Sequence, residues 1–167
     1  MNSFKYKGRD VYFPKTAHPY IRTRCWENGF FYEKEMLEHI ADVSQPGIFV
    51  DVGASSGNHS LYFSLFTDAE EVISFEPNPE HHAPFMEMME KNNATNVKLF
   101  RLGLSSHIGM DKVIYSLNSL RNRPDRGDVV EITTLDYVMK DRVKKISVIK
   151  IDVEGYENYV LEGGETI

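Results

Sequence analysis

The sequence holds a single cysteine, Cys25. One thiol cannot close an intrachain disulfide, so the fold must rest on its core, and a reducing compartment suits it. Long apolar runs are also missing. Nothing approaches the roughly 18 residues that a membrane helix needs. The opening Met1–Asp10 carries no apolar stretch of the kind found in a signal peptide. Positive charge is in deficit, with 19 Lys and Arg against 25 Asp and Glu, for a net charge of −6. A partner gripped mainly by phosphate neutralisation is therefore not expected. These absences point to a cytoplasmic protein with neither nucleic acid nor membrane as partner. The oligomeric state stays open.

What is present suits one globular domain. The 167 residues are 41% hydrophobic and 26% charged, enough for one core and too apolar for disorder. No internal repeat is visible. Residues 1–26 alternate aromatics with charges and read as short strands or a hairpin. The stretch His18 to Arg24 reads as a substrate-facing arm or as a surface strand. Apolar positions between Glu27 and Val43 have helical spacing, stopped by Ser44-Gln45-Pro46-Gly47. Ile48–Val52, Val72–Glu76, Val97–Leu102 and Ile146–Asp152 read as the main strands. Helices are expected over His59–Phe66, Glu80–Asn93, Leu135–Lys140 and from about Tyr156. Residues 103–109 read as a loop, Val113–Tyr115 and Val129–Thr133 as short strands. The segment Asn118–Asp128, with Arg121, Arg123 and Arg126, reads as a surface loop. Strands alternating with helices predict an α/β fold with a largely parallel sheet.

The chain is organised around Ile48-Phe49-Val50-Asp51-Val52-Gly53-Ala54-Ser55-Ser56-Gly57-Asn58-His59. This reads as a buried strand, a turn of small residues and a helix start, where backbone can approach a ligand. Ser55, Ser56 or Asn58 is the expected cap. In such a sheet ligands sit beyond the carboxyl ends of the strands. Three acids fall there: Asp51, Glu76 and Asp152. Glu76 lies 23 residues after Gly53, where a carboxylate accepts both ribose hydroxyls in dinucleotide sites. Ser55 stands where a nicotinamide fingerprint would have its second glycine, and Asp51 adds negative charge where a pyrophosphate would sit. A cofactor bearing an amino acid and a positive sulfonium suits the turn better. The rival readings are a nicotinamide oxidoreductase and a non-catalytic module.

The second motif is Lys150-Ile151-Asp152-Val153-Glu154-Gly155-Tyr156-Glu157. Charges within a strand need partners or uses. Lys150 is expected to pair with Asp152 or Glu154, and Asp152 to face the cleft. Asp152 is the first candidate for the base, with His59 and Glu154 behind it. No metal is expected, because two carboxylates alone do not make a site. His81-His82 reads as a solvated helix face.

These motifs, with Phe31-Tyr32-Glu33, Phe75-Glu76-Pro77-Asn78-Pro79, Leu104-Ser105 and Thr134-Leu135-Asp136, resemble the FkbM family of S-adenosylmethionine-dependent methyltransferases from about residue 30 onward. The resemblance implies a Rossmann-like class I methyltransferase sheet with helices on both faces. It implies O-methylation of a hydroxyl on a sugar, glycan or secondary metabolite, with S-adenosyl-L-methionine as cofactor. Residues 1–30 would then be an N-terminal arm, and 31–167 the cofactor-binding domain. Asp51, Gly53 and Gly57 would contact the methionine part, Glu76 the ribose, and the backbone near Gly103 and Leu104 the adenine, with Ala54, Ser55, Asn58, Pro77 and Asp152 also among the cofactor-binding residues. Class I methyltransferases continue with a fifth strand and a closing antiparallel pair. Neither is found before Ile167, so the expectation is a C-terminally truncated domain with an open sheet edge.

Overall fold

The computed structural model describes residues 2–113 and 128–167. Ile114 and Tyr115 of the expected short strand, and the loop holding Arg121, Arg123 and Arg126, lie outside them. The chain opens with a hairpin, β1 (Ser3–Tyr6) and β2 (Arg9–Tyr12), then α1 (Pro19–Asn28) and α2 (Lys34–Val43). Two strand-helix units and a further strand follow: β3 (Gly47–Val52) and α3 (Asn58–Phe66), β4 (Ala69–Phe75) and α4 (Pro79–Lys91), then β5 (Val97–Phe100). Next come β6 (Gly103–Leu104), β7 (Gly109–Val113), β8 (Asp128–Thr133), α5 (Leu135–Met139), β9 (Ile146–Ile151) and α6 (Glu157–Glu162).

The central sheet runs β5-β4-β3-β9, with every neighbouring pair parallel. A smaller sheet, β6-β8-β7, pairs β6 with β8 in parallel and β7 with β8 antiparallel. Residues 103–109, expected as plain loop, thus supply one short strand and the start of another. The α/β class with a parallel sheet is as expected.

Period-two alternation sorts β3 onto two helix layers. Ile48, Val50 and Val52 pack with Leu135, Met139 and Val160, on the side of α5 and α6. Phe49 packs with Leu61, Tyr62 and Phe63 of α3. The hairpin shares that second core: Phe4 and Tyr6 stand edge-on to Phe31, at 5.5 and 5.4 Å between ring centroids. Phe31, Phe49, Tyr62 and Phe63 are wholly buried, and burying such a side chain contributes about 1.5–3 kcal/mol.

Two expectations of secondary structure need correction. The stretch His18 to Arg24 is not a strand; from Pro19 it forms α1, with the proline in its first turn and Gly29 left-handed at its C-cap. The helix expected over Glu27–Val43 is broken. Gly29 ends α1, Phe31 plugs the core, and Glu33 takes a left-handed conformation before α2 begins. Among the described residues no helix is long and apolar enough to cross a membrane.

Candidate active site

A cavity of about 310 Å³ lies beyond the carboxyl ends of β3, β4 and β9. The sheet order reverses between β3 and β9, so this is a topological switch point. The volume is at the lower end of the small-molecule range. One wall is the turn after β3, with Gly53 and Ser55; another is Glu76, Pro77 and Asn78 after β4; a third is Gly103 and Leu104. Asp152, Val153, Glu154 and Tyr156 close the side after β9, while His18, Tyr20, Ile21 and Tyr32 cover the top.

The first turn is fixed by its backbone. The N–H groups of Gly53 and Ala54 both donate to the Phe75 carbonyl, at 3.0 Å each. Gly53 has φ 76°, and a Cβ there would sit 1.9 Å from the Asp152 carbonyl oxygen. The site therefore demands glycine for close approach as well as for conformation. Ser55 is also left-handed, at φ 48°, which costs a non-glycine residue about 1–2 kcal/mol. That conformation aims its N–H at Glu76, with N to Oε2 at 2.7 Å. The other oxygen, Oε1, accepts from Asn78 N at 2.8 Å. Asn78 in turn caps α4, its Oδ1 accepting from Glu80 N at 3.0 Å. The carboxylate at the end of β4 is thus held from two elements, at the cavity surface.

His81 and His82 are not simply a solvated face. The Nε2 of His82 lies 2.7 Å from the Glu76 carbonyl oxygen. His81 lines the cavity with its Nδ1 3.6 Å from Glu76 Oε1, and stands edge-on to His18 at 6.1 Å. Burial and the charge of His81 hold the His18 imidazole below its ordinary pKa.

Five of the expected site residues lie outside this cavity. Asp51 is wholly buried beneath the turn. It pairs with Lys150 across the β3–β9 register, Nζ to Oδ1 at 3.1 Å, and accepts from Ser60 Oγ at 2.6 Å. The partner of Lys150 is therefore Asp51, not Asp152 or Glu154. Burial opposes the Asp51 charge, but Lys150 and His59 outweigh it and hold the carboxyl below its ordinary pKa. His59 is nearly buried too, its Nε2 2.8 Å from Glu33 Oε2. Asn58 is spent on the chain ahead of α2: Oδ1 accepts from Tyr32 N at 3.2 Å and Nδ2 donates to Tyr32 O at 3.1 Å. Gly57, not a side chain, is the N-cap of α3. Ala54 is buried. Cys25, against Asn58, has its thiol pushed up to about 12 by burial and is a core residue.

Gly53, Ser55, Glu76, Pro77, Gly103, Leu104, Asp152 and Glu154 do line the cavity. After Ser55, Glu154 is the second cavity-lining residue other than glycine to be left-handed, at φ 51°. Residues that the sequence did not mark individually are Asn78, His81, Tyr20, Tyr32 and Tyr156. Tyr20 and Tyr32 meet edge-on at 5.7 Å. Among the described residues no cluster of His, Cys, Asp and Glu has the makings of a metal site.

The family model for the methyltransferase FkbM domain matches residues 51–167. This chain belongs to the FkbM methyltransferase family. It is similar to the hexuronic acid methyltransferase AglP of Haloferax volcanii, 30% identical over 74% of this chain and 52% of that one. It is also similar to the methyltransferase sdnD of Sordaria araneosa, 27% identical over 82% of this chain and 69% of that one. The match thus spans about half the length of the haloarchaeal relative. A crystal structure of methyltransferase FkbM from Methylobacillus flagellatus superposes with a TM-score of 0.52 at 17% identity, covering 89% of this chain and 41% of that one. That likeness concerns the fold, and it agrees with a class I methyltransferase sheet.

Proposed function

We propose that this FkbM-family chain transfers a methyl group from S-adenosyl-L-methionine to a hydroxyl of a sugar-like acceptor. The observation that carries the cofactor is Glu76. Its two oxygens are oriented by Ser55 N and Asn78 N at the cavity surface, and each oxygen keeps acceptor capacity for a ribose hydroxyl. The Gly53 cradle, which a Cβ would fill, fits the methionine part beside it. Gly103 and Leu104 give the adenine a close-fitting wall.

The bound cofactor supplies a methyl group already activated on a sulfonium. The chain's own part is positioning and proton handling. Asp152 follows the end of β9, its N–H fixed to the Val52 carbonyl at 3.1 Å, and lines the cavity. It would take the proton of the acceptor hydroxyl. Glu154 lies next along the same loop and orients the acceptor. Tyr20 and Tyr32 offer aromatic faces to the C–H surface of a sugar ring. The name of the haloarchaeal relative, a hexuronic acid methyltransferase, supports a sugar acid as the first acceptor to try.

The test begins with calorimetric titration of the purified protein with S-adenosylhomocysteine and, separately, NAD. Binding of the first alone is expected; binding of NAD alone would overturn the reading in favour of a nicotinamide enzyme. Transfer of labelled methyl to uronic acids and neutral glycosides follows. Asp152→Ala is expected to lower kcat at least a hundredfold with the affinity for S-adenosylhomocysteine kept.

A further inference from the structure

We infer that Lys150 is a positioning residue for methyl transfer: its buried ammonium pins the Gly53 carbonyl and so sets the cofactor turn against the Asp152 loop. The inference rests on the cavity being a site for S-adenosylmethionine.

The ammonium has more partners than an ion pair requires. Nζ lies 3.1 Å from Asp51 Oδ1, 3.0 Å from the Gly53 carbonyl oxygen and 3.4 Å from that of Val52. Of its three donors, two go to the Gly53 and Val52 carbonyls, while Asp51 Oδ1 is an ion-pair contact without hydrogen-bond geometry. Lys150 itself lies outside the cavity lining, so it acts through others. A purely structural pair would end at Asp51. The carbonyl of Gly53 belongs instead to the turn, past the end of β3.

That carbonyl is a control point. The Gly53 residue is held on one side by its N–H, bonded to Phe75 of β4, and on the other by Lys150 of β9. Without the second hold, the peptide plane joining Gly53 to Ala54 is kept only by the Ala54 N–H on the Phe75 carbonyl. Ser55 N, which orients Glu76, comes one residue later. Asp152 comes two residues after Lys150 and packs its carbonyl on the Gly53 Cα. One side chain thus links the ribose carboxylate, the turn and the proposed base. It also occupies both Asp51 and the Gly53 carbonyl, two acceptors that the acid-x-Gly motif would otherwise present to a ligand's ammonium.

The experiment compares variants that lose stability for the same reason but differ at Gly53. Asp51→Asn breaks the ion pair and leaves Lys150 on the two carbonyls. Lys150→Met removes both. Asp51→Leu/Lys150→Met removes both charges together, a replacement that buried pairs often tolerate, and keeps the test open should Lys150→Met not fold. Affinity for S-adenosylhomocysteine is measured by calorimetry well below each variant's Tm, with circular dichroism confirming the fold. Asp51→Asn should stay within about threefold of the parent, and both Met variants should weaken by roughly tenfold or more, the scale of one charge-assisted hydrogen bond. Parent-like affinity in the double variant would overturn the inference. So would an equal loss in Asp51→Asn, which would make the ion pair the cause. A parent protein that fails to bind S-adenosylhomocysteine at all would instead refute the cofactor reading.

Discussion

Single residues decide this site by what they leave no room for. Gly53 is the clearest case, because its α-carbon rests on the Asp152 carbonyl. Gly53→Ala must push apart the two loops that line the cavity. The expected outcome is loss of S-adenosylhomocysteine binding in calorimetry and a Tm lowered by several degrees. Unchanged affinity would show that the turn gives way elsewhere. The sequence marked Gly53, Glu76 and Asp152 through spacing alone, because a turn after a strand and an acid at a strand end are local patterns. It placed Asp51 in the site for the same local reason. What removes Asp51 is a neighbour 99 residues away, Lys150, and cross-strand register is not written in either segment.

Elements carry the next layer of control. Asn78 does two tasks at the β4–α4 junction: its side chain caps the helix and its N–H holds Glu76. Asn78→Ala should cost about 1 kcal/mol, the usual value of an N-cap, read from urea denaturation. It should also weaken S-adenosylhomocysteine several-fold, since the junction carrying the N–H loosens with the cap. A stability loss with unchanged affinity would separate the two tasks. Helix α1 shows where element-level reading fails. Tyr20-Ile21-Arg22-Thr23-Arg24 alternates apolar or β-branched with charged residues, the pattern of a strand. Only Cys25 of α1 is fully buried, so the helix is set by its ends, Pro19 and Gly29, and by docking over the cavity. His81 and His82 were misread for a related reason. Adjacent side chains on a helix point apart, yet the first turn of α4 wraps Glu76 closely enough for both imidazoles to reach it.

At the scale of the whole molecule, several acids are tuned the same way. Asp51 is held below its ordinary pKa despite burial, through Lys150 and His59. Glu33 is lowered by its hydrogen bond to His59. Glu71 is lowered, against burial, by Lys98 and Arg142. A depressed folded pKa stabilises above the unfolded value and loses that contribution as pH falls through the folded one. With unfolded carboxyls near 4, the carboxylate share of stability should be level from about pH 7 to 5 and fall steeply below about 4, while the lowered His18 adds a smaller decline as pH drops below about 6.5. Urea midpoints across that range measure this, and Asp51→Asn should give a shallower acid slope. Loss of most of the stability already by about pH 5 would instead make the histidines the main acid-sensitive groups. The α/β architecture itself was legible because four strands and their helices are each locally periodic. The way the sheet brings β9 beside β3, and with it the pairing beneath the site, follows from packing of the assembled chain.

The contact between Gly53 and the Asp152 carbonyl has a thermodynamic consequence. One loop faces the proposed cofactor and the other the proposed acceptor, and they touch with no slack between them. A ligand that stiffens the first removes freedom from the second, so the second ligand has less ordering left to oppose it. Reciprocity then requires each ligand to raise the other's affinity by one and the same factor. The proposed cofactor and acceptor are therefore expected to bind cooperatively, and saturating S-adenosylhomocysteine should raise the protein's affinity for the acceptor.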